Sequence, residues 1–155
     1  MTDVELTQSD LKILRVLQVE GRIANVDLAD KVGLSPSPCL RRTKQLEAGG
    51  VIRGYVALLN RKMLGFGVEA FVQVSLDRHQ DRLDRAFREA ILAREEIVGC
   101  YVMTGEMDYL LRVVVQDMAH YSRFIMDTLL KHPSVEDCKT SFVLDRVKNT
   151  TAVPV

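Results

Sequence analysis

Residues 25–45, NVDLADKVGLSPSPCLRRTKQ, decide the fold of the first third of the chain, because helix stops, helix starts and clustered cations meet there. Asn25 has the side chain of an N-cap. Leu28, Ala29 and Val32 form one apolar stripe, so the spacing predicts a short helix that ends where Gly33 can adopt a left-handed conformation. A second helix begins almost at once: Ser37-Pro38 offers a hydroxyl cap and a preset first helical φ, and Ser35-Pro36 offers the same start two residues earlier. The connection is then about three or four residues, the length a helix-turn-helix uses. In the second helix Cys39, Leu40, Thr43 and Leu46 are expected to face inward, which leaves Arg41, Arg42, Lys44 and Gln45 outward. Such a face suits double-stranded DNA.

Upstream, Thr7-Gln8-Ser9-Asp10 reads as a capping box, with Thr7 as N-cap and the Asp10 carboxylate reaching back toward the positive helix end. Leu11, Leu14 and Leu17, with Ile13 and Val16 beside them, give a broad apolar face that lasts until Gly21. This is the first of three helices, and its spacing is accounted for by core support. Arg22 and Asn25 are further candidates for phosphate contact. After Gly49-Gly50 the pattern turns extended, and Val51 to Asn60 is expected to be a strand or an extended linker that leaves the unit. Arg61 to Gly67 carries two glycines and no periodicity, which places a domain boundary there: 1–60 and 61–155.

At 155 residues, with 47% hydrophobic and 27% charged composition, the chain is an ordinary globular protein of one domain or two small ones. Its formal net charge is zero, which argues against a broad basic footprint. The surplus is local. Between Ser35 and Arg53 four cations, Arg41, Arg42, Lys44 and Arg53, face one anion, Glu47, so DNA affinity requires several modules on one assembly. The three cysteines lack any CxxC or Cys/His ligand spacing, so neither a metal site nor a disulfide framework is expected, and His79, His120 and His132 are scattered. Cys39 beside two arginines could suggest a redox thiol, but its place on the apolar stripe favours packing. No stretch approaches 18 apolar residues and the N-terminus is acidic, so no membrane span or secretory signal is expected and the expected location is the cytoplasm.

From Val68 a period of two sets in: Val68, Ala70, Val72, Val74 and Leu76 alternate with mostly polar neighbours, as in a strand with one buried face. A helix follows, with Leu83, Ala86, Phe87, Ala90 and Ile91 on one side and charged residues on the other. Ile97–Thr104 and Tyr109–Val115 read as two strands joined through Gly105-Glu106-Met107-Asp108, a hairpin connection by its glycine and aspartate. A second helix carries Met118, Tyr121, Ile125 and Leu129 inward and stops before Pro133, and Val135–Val147 returns as a strand. The order βαββαβ is the ferredoxin-like pattern, an antiparallel sheet with both helices on one face. The other face, holding Phe71, Tyr101, Met103 or Phe142 according to register, is expected to be a dimer interface.

Taken together, RIANVDLADKVGLSPSPCLRRTKQLEAGGVIRGYVALLN resembles the DNA-binding domain of the Lrp/AsnC, or feast/famine, regulators. MTGEMDYLLRVVV, DMAHYSRFIMDTLL and VLDRVKNTTAVP are similar to that family's effector and oligomerisation domain, so the resemblance spans nearly the whole chain. It implies an α+β protein: an N-terminal winged-helix-type helix-turn-helix domain joined to a C-terminal ferredoxin-like βαββαβ domain. The implied function is amino-acid-responsive regulation of transcription, by homo-dimers that assemble further, often to octamers, without cofactor or catalysis. The recognition helix maps to about Ser35–Ala48, with Ser35, Ser37, Pro38, Arg41, Arg42, Lys44 and Gln45 facing DNA. The effector, with leucine or methionine favoured, maps to the Gly-x-x-Asp turn Gly105, Glu106, Met107 and Asp108, between neighbouring dimers. Asp108 would pair with the ammonium and backbone N–H groups near Gly105 with the carboxylate, while Thr104, Met107, Thr140 and Ser141 line the pocket. Without the resemblance such a turn is just a hairpin. Two rival functions are an enzyme on the ferredoxin-like half, against which no nucleophile, metal or phosphate-loop motif is visible, and an architectural protein that wraps DNA without a ligand.

Overall fold

The computed structural model describes residues 5–77 and 81–155, with side chains left undescribed at residues 81–84. The side chains of Asp81, Arg82, the expected inward Leu83 and Asp84, together with His79 and the first four residues, lie outside what is described. Two compact units form, Met1–Leu58 with Lys148–Val155, and Leu59–Val147. The expected boundary fell between residues 60 and 61, with the tail in the second part; here Lys148–Val155 belongs to the first unit.

In the first unit α1 (Gln8–Leu17) starts with the expected capping box: the Thr7 hydroxyl accepts from Asp10 N, and Asp10 Oδ2 accepts from Thr7 N at 2.8 Å. α2 (Asn25–Val32) ends at Gly33, whose φ of 74° is the left-handed value that favours glycine. Its N-cap is Ala24, not Asn25. Asn25 sits one residue inside the helix, where its amide donates to Pro36 O at 2.9 Å and ties the starts of two helices together. α3 (Pro36–Ala48) takes the earlier of the two possible starts, with Ser35 as N-cap and Pro36 in the first helical position, so the turn is Gly33, Leu34 and Ser35. It ends on Gly49 and on Gly50 at φ 72°, with Ile52 N donating back to Leu46 O. Ile13, Leu14, Leu28, Ala29, Val32, Cys39 and Leu46 make the core where the three helices meet. Residues 53–60 form neither helix nor ladder, which leaves the linker of the expected alternatives.

In the second unit β1 (Val68–Leu76), β2 (Ile97–Val102), β3 (Tyr109–Val115) and β4 (Val135–Phe142) form one sheet in the order β2-β3-β1-β4, every neighbouring pair antiparallel. α4 (Asp81–Leu92) and α5 (Met118–Phe124) pack on one face, where Phe87, Ile91, Tyr121, Phe124 and Leu129 meet Ala70, Val72, Val74, Leu111, Val113 and Val115. The alternation read from Val68 to Leu76 holds. β2 stops at Val102 and β4 at Phe142, both short of the expected Thr104 and Val147. Register decides among the alternatives left open: Phe142 pairs with Ala70 and lies against Tyr121, ring centroids 4.9 Å apart, so it belongs to the helix-covered face. Phe71 and Tyr101, opposite Arg112 and Leu110, lie on the other face. α5 runs into one π-helical turn, Ile125–Leu129; ahead of it the inward stripe is Tyr121, Phe124 and Ile125 at i, i+3 and i+4, so Phe124 is buried and Met118 is 53% exposed, against expectation.

On the uncovered face at the start of β1 lies Glu69, whose carboxylate is sealed by three arginines. Oε1 accepts from Arg112 Nε at 2.7 Å and from Arg146 Nη2; Oε2 accepts from Arg146 Nε at 2.7 Å and pairs with Arg61 Nη2 at 2.8 Å. Burial pushes the carboxyl pKa up, but the bonds from Arg146 and Arg112 and the charges of Arg61 and Arg112 outweigh it, and the group is held down at about 2. Since the folded pKa is depressed, the stabilisation is complete above the ordinary value near 4.5 and is lost as pH falls toward 2. Between about pH 6 and pH 3 the native protein is expected to lose about 2 kcal/mol more stability than a Glu69→Gln variant. Denaturant titrations at the two pH values check this; equal losses in both proteins would refute the linkage.

Candidate nucleic-acid interface and ligand turn

The i, i+3, i+4 arithmetic of α3 gathers Ser37, Leu40, Arg41, Lys44, Gln45 and Ala48 on one face, where they line a shallow concavity of about 430 Å³. Ser35, Ser37, Arg41, Lys44 and Gln45 are exposed, as expected of a face that meets a partner, and Pro38 is half-buried. Two residues differ from the sequence reading. Leu40, expected inward, is 43% exposed and stands on the outward face, because Cys39 and Leu46 already fill the space between α1 and α2. Arg42, expected outward, turns the other way: its Nη1 reaches the Thr7 hydroxyl at 2.9 Å and Asp10 Oδ1 at 3.1 Å. Burial raises the Asp10 pKa, but the Thr7 bonds and then Arg42 reverse that and leave it lowered. Arg42 therefore fastens α3 to the capping box of α1.

Leu40 is the functional candidate that sequence reasoning missed. A helical wheel cannot decide which of Cys39 and Leu40 takes the core, since both border the stripe; the smaller residue wins because α3 packs close to α1 and α2. On an exposed face an apolar side chain can meet a thymine methyl group, which cations cannot do. Arg22 is exposed in the turn before α2. Asn25 spends its amide on Pro36 O and is half-buried. Cys39 is fully buried, and burial pushes its thiol pKa up, so it packs rather than reacts.

The turn between β2 and β3 is built as the sequence suggests. Gly105 has φ 115°, Met103 N donates to Asp108 O at 2.9 Å, and Asp108 N donates to Val74 O at 3.0 Å. Thr104, Gly105 and Glu106 are exposed; Met107 and Asp108 are half-buried. Asp108 Oδ2 accepts from Leu76 N at 2.8 Å, beside the point where the β1–β4 register shifts. The turn thus uses one carboxylate oxygen of Asp108 as a structural acceptor.

Thr140 and Ser141 do not join that turn within one protomer. They are successive residues of β4, so they point to opposite faces, Thr140 with Val72 and Ser141 with Phe71. Thr140 is bonded to the Tyr121 hydroxyl on the helix side. β4 is two strands from β3, roughly 10 Å at the usual strand spacing. Among the described residues no group of His, Cys, Asp and Glu could hold a metal ion, and no helix is long and apolar enough to cross a membrane.

Residues 6–53 match a model for winged helix-turn-helix DNA-binding domains, and residues 69–153 match the Lrp/AsnC ligand binding domain. The chain is 47% identical over 141 residues to the leucine-responsive regulatory protein of Haemophilus influenzae, covering 91% of this chain and 85% of that one. It is 40% identical over 151 residues to the Escherichia coli protein of that name, covering 97% and 92%. A Neisseria meningitidis transcriptional regulator solved as an L-Met complex superposes with a TM-score of 0.93 at 46% identity over 96% of both chains. A Mycobacterium tuberculosis feast or famine regulatory protein complexed with L-methionine gives 0.81 at 29% identity, over 94% and 96%.

Proposed function

The chain belongs to the Lrp/AsnC family of DNA-binding transcription regulators, and from that premise we propose that it reads an operator with the exposed face of α3 and is modulated by an amino acid, methionine or leucine, held at the Thr104–Asp108 turn. The observation that carries the first half is the face itself. Arg41 and Lys44 supply the charge, Gln45 and the serines supply hydrogen bonds, and Leu40 supplies an apolar contact, all on one helix of the size that enters a major groove. Arg42 has no part in it. An architectural, ligand-independent DNA wrapper is disfavoured by the match to a ligand binding domain, and the relatives are regulators rather than enzymes.

The second half rests on two relatives complexed with methionine and on the chemistry of the turn. A zwitterion needs an anion beside its ammonium, and Asp108 keeps one carboxylate oxygen beyond the one given to Leu76. Thr104, Gly105 and Glu106 are too exposed in the protomer to enclose an apolar side chain, so the missing walls come from another copy, which favours a site between dimers. Thr140 and Ser141 can contribute only from such a neighbour. The apolar side chains of Tyr101 on the uncovered sheet face and of Val56, Leu58 and Leu59 on the linker are surface that association covers, consistent with dimers that build octamers in the cytoplasm.

The test begins with a thermal-shift screen of the twenty amino acids, since a ligand that binds only the native state raises the melting temperature. Asp108→Asn keeps an acceptor for Leu76 N and removes only the charge. Calorimetry with the selected amino acid should show affinity reduced at least tenfold in this variant, with the melting temperature of the free protein unchanged, and light scattering should show that the wild-type assembly alone responds to ligand. Unaltered affinity in the folded variant would rule out the ammonium partner.

A further inference from the structure

Lys148–Val155 follows the sheet unit in the chain yet is built into the DNA-binding unit. Residues 153–155 are held there by α1. Val153 N donates to Gln18 Oε1 at 2.6 Å and Val153 O accepts from Gln18 Nε2 at 3.2 Å, so one amide side chain takes both main-chain groups of one residue. A slip of the segment by one residue would break both bonds. Arg15, three residues earlier and therefore on the same side of α1, donates from Nε to Val155 O at 2.7 Å. The Val155 side chain packs against the core where the three helices meet. The segment is thus fixed in register by polar bonds and seated by an apolar side chain.

Docking gives the DNA-binding unit a second covalent connection to the sheet. The first, residues 53–60, forms neither helix nor ladder and by itself would let the unit swivel. The second is short. On the sheet side its last fixed point is Arg146, whose Nε donates to Glu69 Oε2 at 2.7 Å, and on α1 its first is Val153. From residue 146 to residue 153 the fully extended chain reaches about 25 Å at most. Residues 147–152 between these points are exposed and belong to no helix or strand. A body held by two connections loses the rotations that either one alone would allow. For DNA this matters because the effective concentration of a second α3 at a second half-site is high where the tether matches the span and falls steeply where it does not. Two short tethers make that match narrow; the linker alone makes it broad.

We propose that Arg15, Gln18 and Val155 are positioning residues for DNA recognition: by docking residues 153–155 on α1 they turn residues 147–152 into a strap that sets which separation of half-sites an assembly binds. They act through the freedom of the unit that carries α3 and not through contact with DNA. The strap rests on the reading that several copies bind DNA together.

The test uses the full chain at constant salt, on duplexes that carry two copies of a half-site selected by the wild-type protein from random-sequence DNA. Their separation is stepped one base pair at a time through about one helical turn. Wild type is expected to prefer one separation over the others by about tenfold or more. Gln18→Ala, which removes both bonds to Val153, should bind a single half-site as wild type does while its preference among separations falls to about threefold or less. Inserting Gly-Ser-Gly-Ser between Thr150 and Thr151 should flatten the preference equally and leave the melting temperature unchanged, because it lengthens the span by roughly 13 Å and alters no docked residue. Should Gln18→Ala lose its circular-dichroism spectrum, the insertion alone carries the comparison. A segment that only stabilises α1 gives a different result: Gln18→Ala weakens binding at every separation alike and the insertion changes nothing. That result overturns the proposal, as does a wild type that binds all separations equally well. A wild type that gains nothing from a second half-site overturns the reading that copies bind DNA together, and the strap with it.

Discussion

Replacing Arg41 by alanine is expected to weaken operator binding by about 10- to 100-fold per half-site while leaving the melting temperature unchanged. A bidentate guanine contact is worth about 1–3 kcal/mol, and Arg41 is exposed, its side chain making no ion pair or hydrogen bond among the described residues. Lys44→Ala should act differently, as a point charge aimed at phosphate: binding falls for operator and random DNA alike, and the slope of log K against log salt shrinks by about one. Ser37, Leu40 and Gln45 share the concavity with both cations, so they fall within reach of the same stretch of groove. Electrophoretic titrations of each variant at two salt concentrations, on operator and on scrambled duplex, distinguish the roles. If Arg41→Ala binds as wild type does in both salts, α3 does not read the DNA.

How much of this was legible beforehand differs between the two units for a physical reason. The sheet and its partner helices announce themselves through periods of two and of 3.6, because each element buries one face and nothing else has to be known; Ala70, Val72 and Val74 were placed from alternation alone. The π-helical turn at Ile125–Leu129 has no such signature, since one inserted residue leaves composition and capping unaltered while rotating everything after it. The face of Phe142 stays open in the sequence for a related reason: parity along β4 follows from pairing with β1 rather than from β4's own sequence. For the site, the outward cations of α3 were evident but their division of labour was not. Arg41 and Arg42 are adjacent and chemically alike, and only the position of α1 decides that one reaches Asp10. Asp108 likewise reads as a turn residue or as a ligand, and the bond to Leu76 N shows it already serves the turn.

Breaking the link between α1 and α3 is expected to produce a loss of stability in the first unit comparable to that of truncating a core residue. Asp10 is 7% exposed and its carboxylate takes Thr7 N, the Thr7 hydroxyl and Arg42 Nη1 together, so it closes a helix N-terminus and neutralises a guanidinium at once. In Asp10→Ala the backbone donor of Thr7 loses its acceptor, and the half-buried Arg42 loses its anionic partner and keeps only the Thr7 hydroxyl. Loss of an N-cap interaction costs about 1 kcal/mol and an unpaired, partly buried charge adds about 1–3 kcal/mol, so a total of roughly 2–4 kcal/mol follows. Arg42→Ala should cost less, because it removes the charge along with the bond and leaves the capping box with Thr7 intact. In the double variant the two effects should fall short of their sum by about 1 kcal/mol or more, the mark of residues acting on each other. Operator binding responds in turn: if Arg42 only positions α3, then Arg42→Ala weakens operator and random DNA by the same modest factor, and a stabilising osmolyte restores both. Denaturant unfolding of the four proteins measures the coupling. Strict additivity, with Arg42→Ala as damaging to operator recognition as Arg41→Ala, would return Arg42 to the DNA and leave Asp10 as a simple cap.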